Sequence, residues 1–262
     1  MLNFSSLYSG STGNSLFLQS DNSKVLIDAG VSAKKIIEAL ASFNVNVEDL
    51  DAIVVTHEHS DHIQSLGTLS KKYNIPVYAT KETFDAMPKQ TEKIMCNNIN
   101  CINTNEKFEI NDLTFKPFSI PHDAANPVGY TIFGDNKQLS VATDIGNMSL
   151  DILNTIEGSS FLMLESNYDP EVLKCCSYPF HLKQRISSNK GHLPNYMAGK
   201  TIAYLLNTGL SQVVLGHLSK ESNFPELAYK TVVDELIKKD FDENSLSLTV
   251  ASRTEPSKLF EI

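Results

Sequence analysis

No apolar run in this 262-residue chain is long enough to cross a bilayer, because Lys, Asp or Asn interrupts each one. No contact with a membrane is expected. The first twenty residues lack a basic start followed by an apolar core, so no secretory signal is expected either. Cysteine is scarce: Cys96, Cys101, Cys175 and Cys176 contain no CxxC pair and fall far below the density of a disulfide scaffold. Such thiols suit a reducing cytoplasm. The adjacent Cys175-Cys176 reads as two packed thiols, with a redox element as the other reading, since sequence neighbours rarely form a comfortable disulfide. There is no repeat, low-complexity segment or Pro/Gly/Ser-rich linker, so residues 1–262 are expected to form a single domain; 41% hydrophobic content suffices for a large core.

A net charge of −9 argues against a protein that coats nucleic acid indiscriminately. The distribution is more telling. Between Glu171 and Glu221 there is no acidic residue, while Lys174, Lys183, Arg185, Lys190, Lys200 and Lys220 all fall in that window. An acidic body with one basic stretch can select a polyanion locally. Lys183, Arg185 and Lys190 are candidate phosphate contacts, and Tyr178 and Phe180 candidate faces for an end base. For any single lysine, a solvated helical face is an equal reading.

The chain is organised around Val54-Val55-Thr56-His57-Glu58-His59-Ser60-Asp61-His62. Residues 51 to 55 read as a short buried strand, because β-branched side chains favour the pleated conformation. The histidines therefore lie in a loop at a strand's end. Such a loop can aim His57 and His59 at one point and Asp61 and His62 at a second. Imidazole and carboxylate are the ligands of zinc, manganese or iron, and no cysteine nearby suggests a closed structural zinc site. The other reading is a histidine-rich surface loop. Against it, three of the chain's seven histidines fall within six residues, directly after a buried strand.

Residues 2 to 8, 14 to 20 and 24 to 28 read as strands. Ser9-Gly10-Ser11-Thr12-Gly13 between the first two is a hairpin turn or a phosphate cradle. Asp28 closes the third strand, either supporting the histidine loop from behind or starting a helix for which Ser32 is a plausible N-cap. Helical spacing covers residues 33 to 42 and 62 to 73, and residues 75 to 79 form a strand. Residues 81 to 100 give only a helix before the Met87-Pro88 break. Residues 107 to 119 and 128 to 143 form a meander with turns at Asn111-Asp112 and Gly134-Asp135-Asn136. Apolar strands also run into Glu165 and into His217.

HxHxDH after a buried strand resembles the signature of the metallo-β-lactamase fold hydrolases. That resemblance implies a four-layer αββα sandwich of the α/β class, with metals at strand ends. It implies a lone histidine and then a lone aspartate at later strand ends, which His122 and Asp144 supply. His122 would complete a three-histidine site with His57 and His59; Asp144 would bridge two ions; Asp61, His62 and His217 would hold the second. Taken singly, His122 reads as a loop histidine and Asp144 as a helix cap.

Metal ligands alone do not choose the substrate. Gly10-Ser11-Thr12-Gly13-Asn14-Ser15, Leu164-Glu165-Ser166-Asn167-Tyr168-Asp169, Tyr178-Pro179-Phe180-His181-Leu182-Lys183-Gln184-Arg185-Ile186, Gly191-His192 and Leu215-Gly216-His217-Leu218-Ser219 together resemble the YycJ/WalJ-like exonuclease branch. The resemblance implies a dinuclear, metal-dependent 5′ to 3′ DNA exonuclease, with a metal-bridging hydroxide as nucleophile and a DNA with a free 5′ end as partner. This chain departs from the branch at Tyr168, where histidine is usual, at Pro194, where serine is usual, and at Cys175-Cys176-Ser177, where a Gly/Pro turn is usual. Asp61 is the expected water-orienting group and His192 the expected general acid, with Glu165 favouring its protonated form. Strand-end carboxylate and helix-start residue are their ordinary readings. Rival readings are a cyclic phosphodiesterase or thioesterase of the same fold, and a nucleic-acid-binding regulatory protein without chemistry.

Overall fold

The structure is a computed structural model and describes residues 1–239 and 245–262. The apolar segments near the N-terminus are strands: β1 (Asn3–Tyr8), β2 (Ser15–Gln19) and β3 (Lys24–Ile27). They pair antiparallel, with Phe4 opposite Leu18 and Phe17 opposite Leu26, so the glycine-serine segment is a hairpin turn. Helix α1 (Ala33–Ala41), with Ser32 at its N-cap, returns the chain, and β4 (Ala52–Val54) adds parallel to β3. All three residues of β4 are buried, as a strand covered on both faces requires.

Two helices, α2 (Ser60–Ile63) and α3 (Leu66–Tyr73), replace the one expected over residues 62 to 73. The break has a local cause. In an unbroken helix the amide of Ser65 would bond the carbonyl of Asp61, but that carbonyl accepts from Asn14 N at 2.8 Å. Ser65 instead turns its amide to the Ala29 carbonyl, at 2.9 Å. Strand β5 (Val77–Thr80) follows in parallel, and α4 (Lys81–Ala86) and α5 (Pro88–Thr91) flank the break at Met87-Pro88. Strand β6 (Ile99–Ile102) escaped the sequence reading because only Ile102 of it is buried, leaving little apolar pattern. The meander is β7 (Phe108–Ile110), β8 (Leu113–Ser119) and β9 (Val128–Gly134), with Asn111, Asp135 and Asn136 at positive φ in the predicted turns.

The chain forms two compact units. The first comprises Met1–Ser119, Ala124–Asn136 and Ser252–Ile262, and the second Ile120–Asp123 and Lys137–Ala251. Because the chain passes between them after Ser119, Asp123, Asn136 and Ala251, no linker marks the division in the sequence. In the second unit β10 (Lys137–Ala142), β11 (Phe161–Glu165), β12 (Gln212–Gly216) and β13 (Ser247–Val250) run parallel, with Val141, Met163, Val214 and Thr249 in register. Helices α6 (Leu150–Ile156), α7 (Pro170–Cys175), α8 (Phe180–Ile186), α9 (Asn195–Leu205) and α10 (Pro225–Ile237) lie between these strands in sequence. The short β14 (Phe260–Glu261) returns to the first unit, whose sheet order is β14-β1-β2-β3-β4-β5-β6. Two mixed sheets flanked by helices place the chain in the α/β class, as the expected αββα sandwich. Among the described residues no helix is long and apolar enough to cross a membrane.

The core of the first unit gathers Phe17, Leu26, Ile36, Leu40, Ile53 and Leu69, all fully buried. Each such side chain contributes about 1.5–3 kcal/mol by leaving water. On the meander side, Phe108 stacks on Phe115 with centroids 5.2 Å apart, and the Tyr130 hydroxyl donates to the Val55 carbonyl at 2.6 Å. Burial pushes the Tyr130 phenol well above its ordinary value, which keeps it a donor. It thereby pins the backbone just where β4 gives way to the histidine loop.

Candidate active site

In the first unit, the histidine loop is fixed from behind by Asp28. This residue leaves β3 at φ 63, and its carboxylate accepts from Thr56 N (2.8 Å), Thr56 Oγ1 (2.8 Å) and His62 Nδ1 (2.7 Å). Since Thr56 Oγ1 gives its proton to Asp28, it can only accept from His57 Nδ1, 3.0 Å away. Both imidazoles are thus held in the tautomer that carries the lone pair on Nε2. Asp28 supports the loop, as one of its two sequence readings had it, while Ser32 occupies the helix N-cap.

The loop is also clamped from its side. Gly13 N donates to Gly10 O, and the Asn14 side chain closes the turn by accepting from Gly10 N at 2.9 Å. Asn14 N donates to Asp61 O, Gly30 N to Asn14 O and Ala29 N to His62 O, at 2.7–2.8 Å. Asn14 Nδ2 lies 3.3 Å from Asp61 Oδ2 and 3.1 Å from His62 Nε2, a contact that again requires the lone pair on Nε2. Gly30 is obligatory, because a Cβ there would run into the carbonyl of Asp61. His57, His59, Asp61 and His62 are thereby brought together, the His57 ring centroid lying 4.6 Å from that of His59 and 4.1 Å from that of His62.

In the second unit, three strands deliver their side chains at their C-terminal ends. Asp144 follows β10 at φ 59 and His217 follows β12 at φ 55; Glu165 is the last residue of β11. Left-handed backbone outside glycine is strained, and its recurrence after both β10 and β12 points to function. Asp144 is not a helix cap, since Ser149 caps α6. Glu165 Oε1 accepts from His217 Nδ1 (2.6 Å) and from His192 Nδ1 (2.9 Å), while Oε2 accepts from Ile145 N (2.7 Å) and Leu193 N (3.0 Å). Burial alone would raise the Glu165 carboxyl, but His192 and then His217 overcome it and hold the group below the usual carboxylate range. Asp144 Oδ1 lies 3.4 Å from His217 Nδ1 and 3.7 Å from His122 Nε2. His122 Nδ1 donates to Gly191 O at 3.1 Å. Asp144, Glu165, His192 and His217 can each bring one ligand atom within 4.8 Å of the others.

The donor set fits a divalent ion. In the first unit His57 and His62, and in the second His122 and His217, each commit Nδ1 to an oxygen acceptor, which makes Nε2 the potential ligand atom, with Asn14 Nδ2 lying against that of His62; Asp144 is a buried carboxylate of the second unit. Nitrogen and oxygen donors without sulfur suit zinc, manganese or iron.

The five residues expected to touch substrate are not brought to one place. Phe180, 75% exposed, and Lys183 both line a cavity of about 490 Å³ beside α7 and α8. Tyr178 turns its hydroxyl to Ser219 Oγ, 3.4 Å away, and packs against Tyr168, Leu173 and Ile186. Arg185 forks onto Asp123, with Nη2 2.9 Å from Oδ1, so its charge is committed beside His122. Lys190 is exposed in the loop before Gly191. Three supporting residues were not assigned from sequence: Asn14, Thr56 and Asn167, whose Nδ2 donates to the His217 carbonyl at 2.6 Å. Asn14 and Asn167 lie in motifs already singled out, but neither carries a signal of its own. Tyr168 and Pro194, the two unusual motif positions, are partners in an isolated parallel bridge.

Comparison with known proteins identifies the family of the chain. The family described as a β-lactamase superfamily domain matches residues 23–218. Exodeoxyribonuclease WalJ of Streptococcus pneumoniae is 39% identical over 239 residues, covering 90% of this chain and 89% of that protein. Exodeoxyribonuclease YycJ of Bacillus anthracis is 37% identical over 240 residues, covering 92% and 91%. Among solved structures, the metallo-β-lactamase fold protein YhfI from Bacillus subtilis aligns with a TM-score of 0.72 over 98% of this chain and 100% of that one; at 17% identity it speaks to the fold alone.

Proposed function

The chain belongs to the β-lactamase superfamily, and from that membership we propose that it is a metal-dependent exodeoxyribonuclease working from the 5′ end of DNA. The observation that carries this reading is the near full-length likeness to two proteins named exodeoxyribonucleases. The four cysteines, none in a disulfide, suit work in a reducing cytoplasm.

His57, His59, Asp61 and His62 of the first unit and His122, Asp144 and His217 of the second would serve as ligands to divalent metal, as the family resemblance implies; zinc, manganese and iron all accept these donors. When bound, such ions polarise a phosphoryl oxygen and lower the pKa of water toward neutrality. The protein's own groups do the rest. Asp61 orients the attacking water and takes its proton. His192 gives a proton from Nε2 to the leaving oxygen, while its Nδ1 is anchored on Glu165 Oε1 at 2.9 Å. The same Glu165 oxygen fixes the ring of His217, so one carboxylate aligns an acid and a ligand together. Phe180 and Lys183, which line one cavity, serve the strand, and Tyr178, Lys190 and the Asp123-bound Arg185 are further contacts along the same basic stretch of sequence.

The deciding experiment offers metal-loaded protein duplex DNA labelled at the 5′ or the 3′ end, a cyclic nucleotide and an acyl thioester. Mononucleotides are expected from the 5′ end. Thioester or cyclic-nucleotide turnover with inert DNA would sink the reading. Asp61→Ala is expected to abolish cleavage and keep DNA retention; a protein that only binds nucleic acid would show no cleavage to lose.

A further inference from the structure

We propose that the cavity lined by Tyr168, Leu173, Phe180, Lys183, Gln184 and Tyr196 seats one nucleobase of the strand being degraded, an inference that rests on the nuclease reading above. Its volume of about 490 Å³ lies within the range of small-molecule sites and accommodates a nucleoside unit. Its walls suit that occupant. Phe180 begins α8 with its ring 75% exposed, Tyr196 is 37% exposed, and Tyr168 forms the buried back of the cavity. The exposed Phe180 ring is a stacking platform that accepts any base, while the Tyr196 ring carries Lys200 Nζ 5.1 Å from its centroid and adds a cation to the cavity's edge.

The polar groups are those a nucleotide needs. Lys183 and Lys174 stand at the cavity, and Gln184 offers both a donor and an acceptor to a base edge. Lys174 Nζ rests on Glu171 Oε1 in an exposed i,i+3 pair, which solvent screens and a phosphate can displace. From residue 172 to residue 220 the sequence itself holds no acidic residue, so Glu171 and Asp123, which pair with Lys174 and Arg185, come from outside that stretch.

The cavity is tied to the catalytic pair by the backbone. Residues 165 to 168 and 192 to 195 run side by side, with Asn167 N donating to Leu193 O (2.8 Å) and Asn195 N to Tyr168 O (2.9 Å). Glu165 and His192 stand at one end of this two-strand segment and Tyr168 and Tyr196 at the other. Three residues of extended chain span at most about 10 Å, within reach of a base adjoining the attacked phosphate. The bridge that fixes this spacing joins Tyr168 to Pro194, so the unusual motif residues shape the cavity rather than the metal ligands.

The test uses metal-loaded, full-length protein and single-stranded oligonucleotides protected by phosphorothioate linkages. 2-Aminopurine is moved along the strand one position at a time. Quenching is expected at one position near the 5′ end, absent in Phe180→Ala and kept in Phe180→Trp. An abasic site at that position should weaken binding to the wild type about tenfold, and Phe180→Ala should weaken the intact strand equally. The two losses should not add, because both remove the same stack. Additive losses, or no sensitive position, would overturn the proposal. Binding needs no turnover: a wild-type chain that leaves ordinary DNA uncut defeats the nuclease reading, while the cavity is still decided by the quenching.

Discussion

Glu165 Oε1 stands 2.6 Å from His217 Nδ1, inside a fully buried carboxylate that also serves His192. A strand-end acid first read as the partner of one histidine is therefore the partner of two. Glu165→Gln keeps the volume but presents an amide to two imidazole donors and two backbone amides, so at least one donor loses its acceptor. Outer partners of metal-ligating histidines are commonly worth 10–100-fold in metal affinity or activity. Loss in that range is expected both in metal affinity, by chelator competition, and in DNA turnover. Unchanged affinity with lowered turnover would confine Glu165 to His192.

Asp28 organises the first unit's histidines in the same way, through Thr56 and His62. Asp28→Ala leaves these buried donors unsatisfied, at about 1–3 kcal/mol. It also places alanine at φ 63, which adds roughly 1–2 kcal/mol. Asn tolerates that conformation, so Asp28→Asn should unfold later in urea than Asp28→Ala while binding metal as poorly. Equal midpoints for the two variants would show that the left-handed backbone costs nothing here.

The ends of β3, β4, β10, β11 and β12 were legible because apolar runs stop abruptly at Asp28, His57, Asp144, Glu165 and His217. What each terminal side chain touches was not. The choice between supporter and helix cap at Asp28 depends on Thr56 and His62, which are distant in sequence. The break before Ser65 depends on Asn14 holding a carbonyl 47 residues away, which no helical periodicity records. Basic residues were visible as a window in sequence, yet the direction of each along α8 divides them: Lys183 lines the cavity and Arg185 turns to Asp123.

Gly30 sets the distance between the glycine-serine turn and the histidine loop. Gly30→Ala drives a methyl into the Asp61 carbonyl, and the loop must move. Overpacking of this kind costs typically about 1–3 kcal/mol. The loop carries His59, Asp61 and His62, so metal retention through gel filtration should fall more steeply than the urea midpoint. Full metal content in a folded Gly30→Ala protein would show that the loop can shift without losing its ligands.

Tyr168 gives a prediction in the alkaline range. Burial first, then the neighbouring Tyr196 and Glu165, pushes its hydroxyl up to about 12 from an ordinary value near 10. The folded state therefore holds this proton more tightly than the unfolded chain does. Its contribution to stability is complete below pH of about 10 and is lost as pH rises toward about 12, where the folded phenol also ionises. Tyr168→Phe has no proton to lose, so its urea stability should fall less steeply across that window, by at most about 1.4 kcal/mol per pH unit. Absorbance near 295 nm should show one fewer late-titrating phenol. Parallel stability curves for the two proteins above pH of about 10 would mean that Tyr168 titrates as an ordinary surface tyrosine.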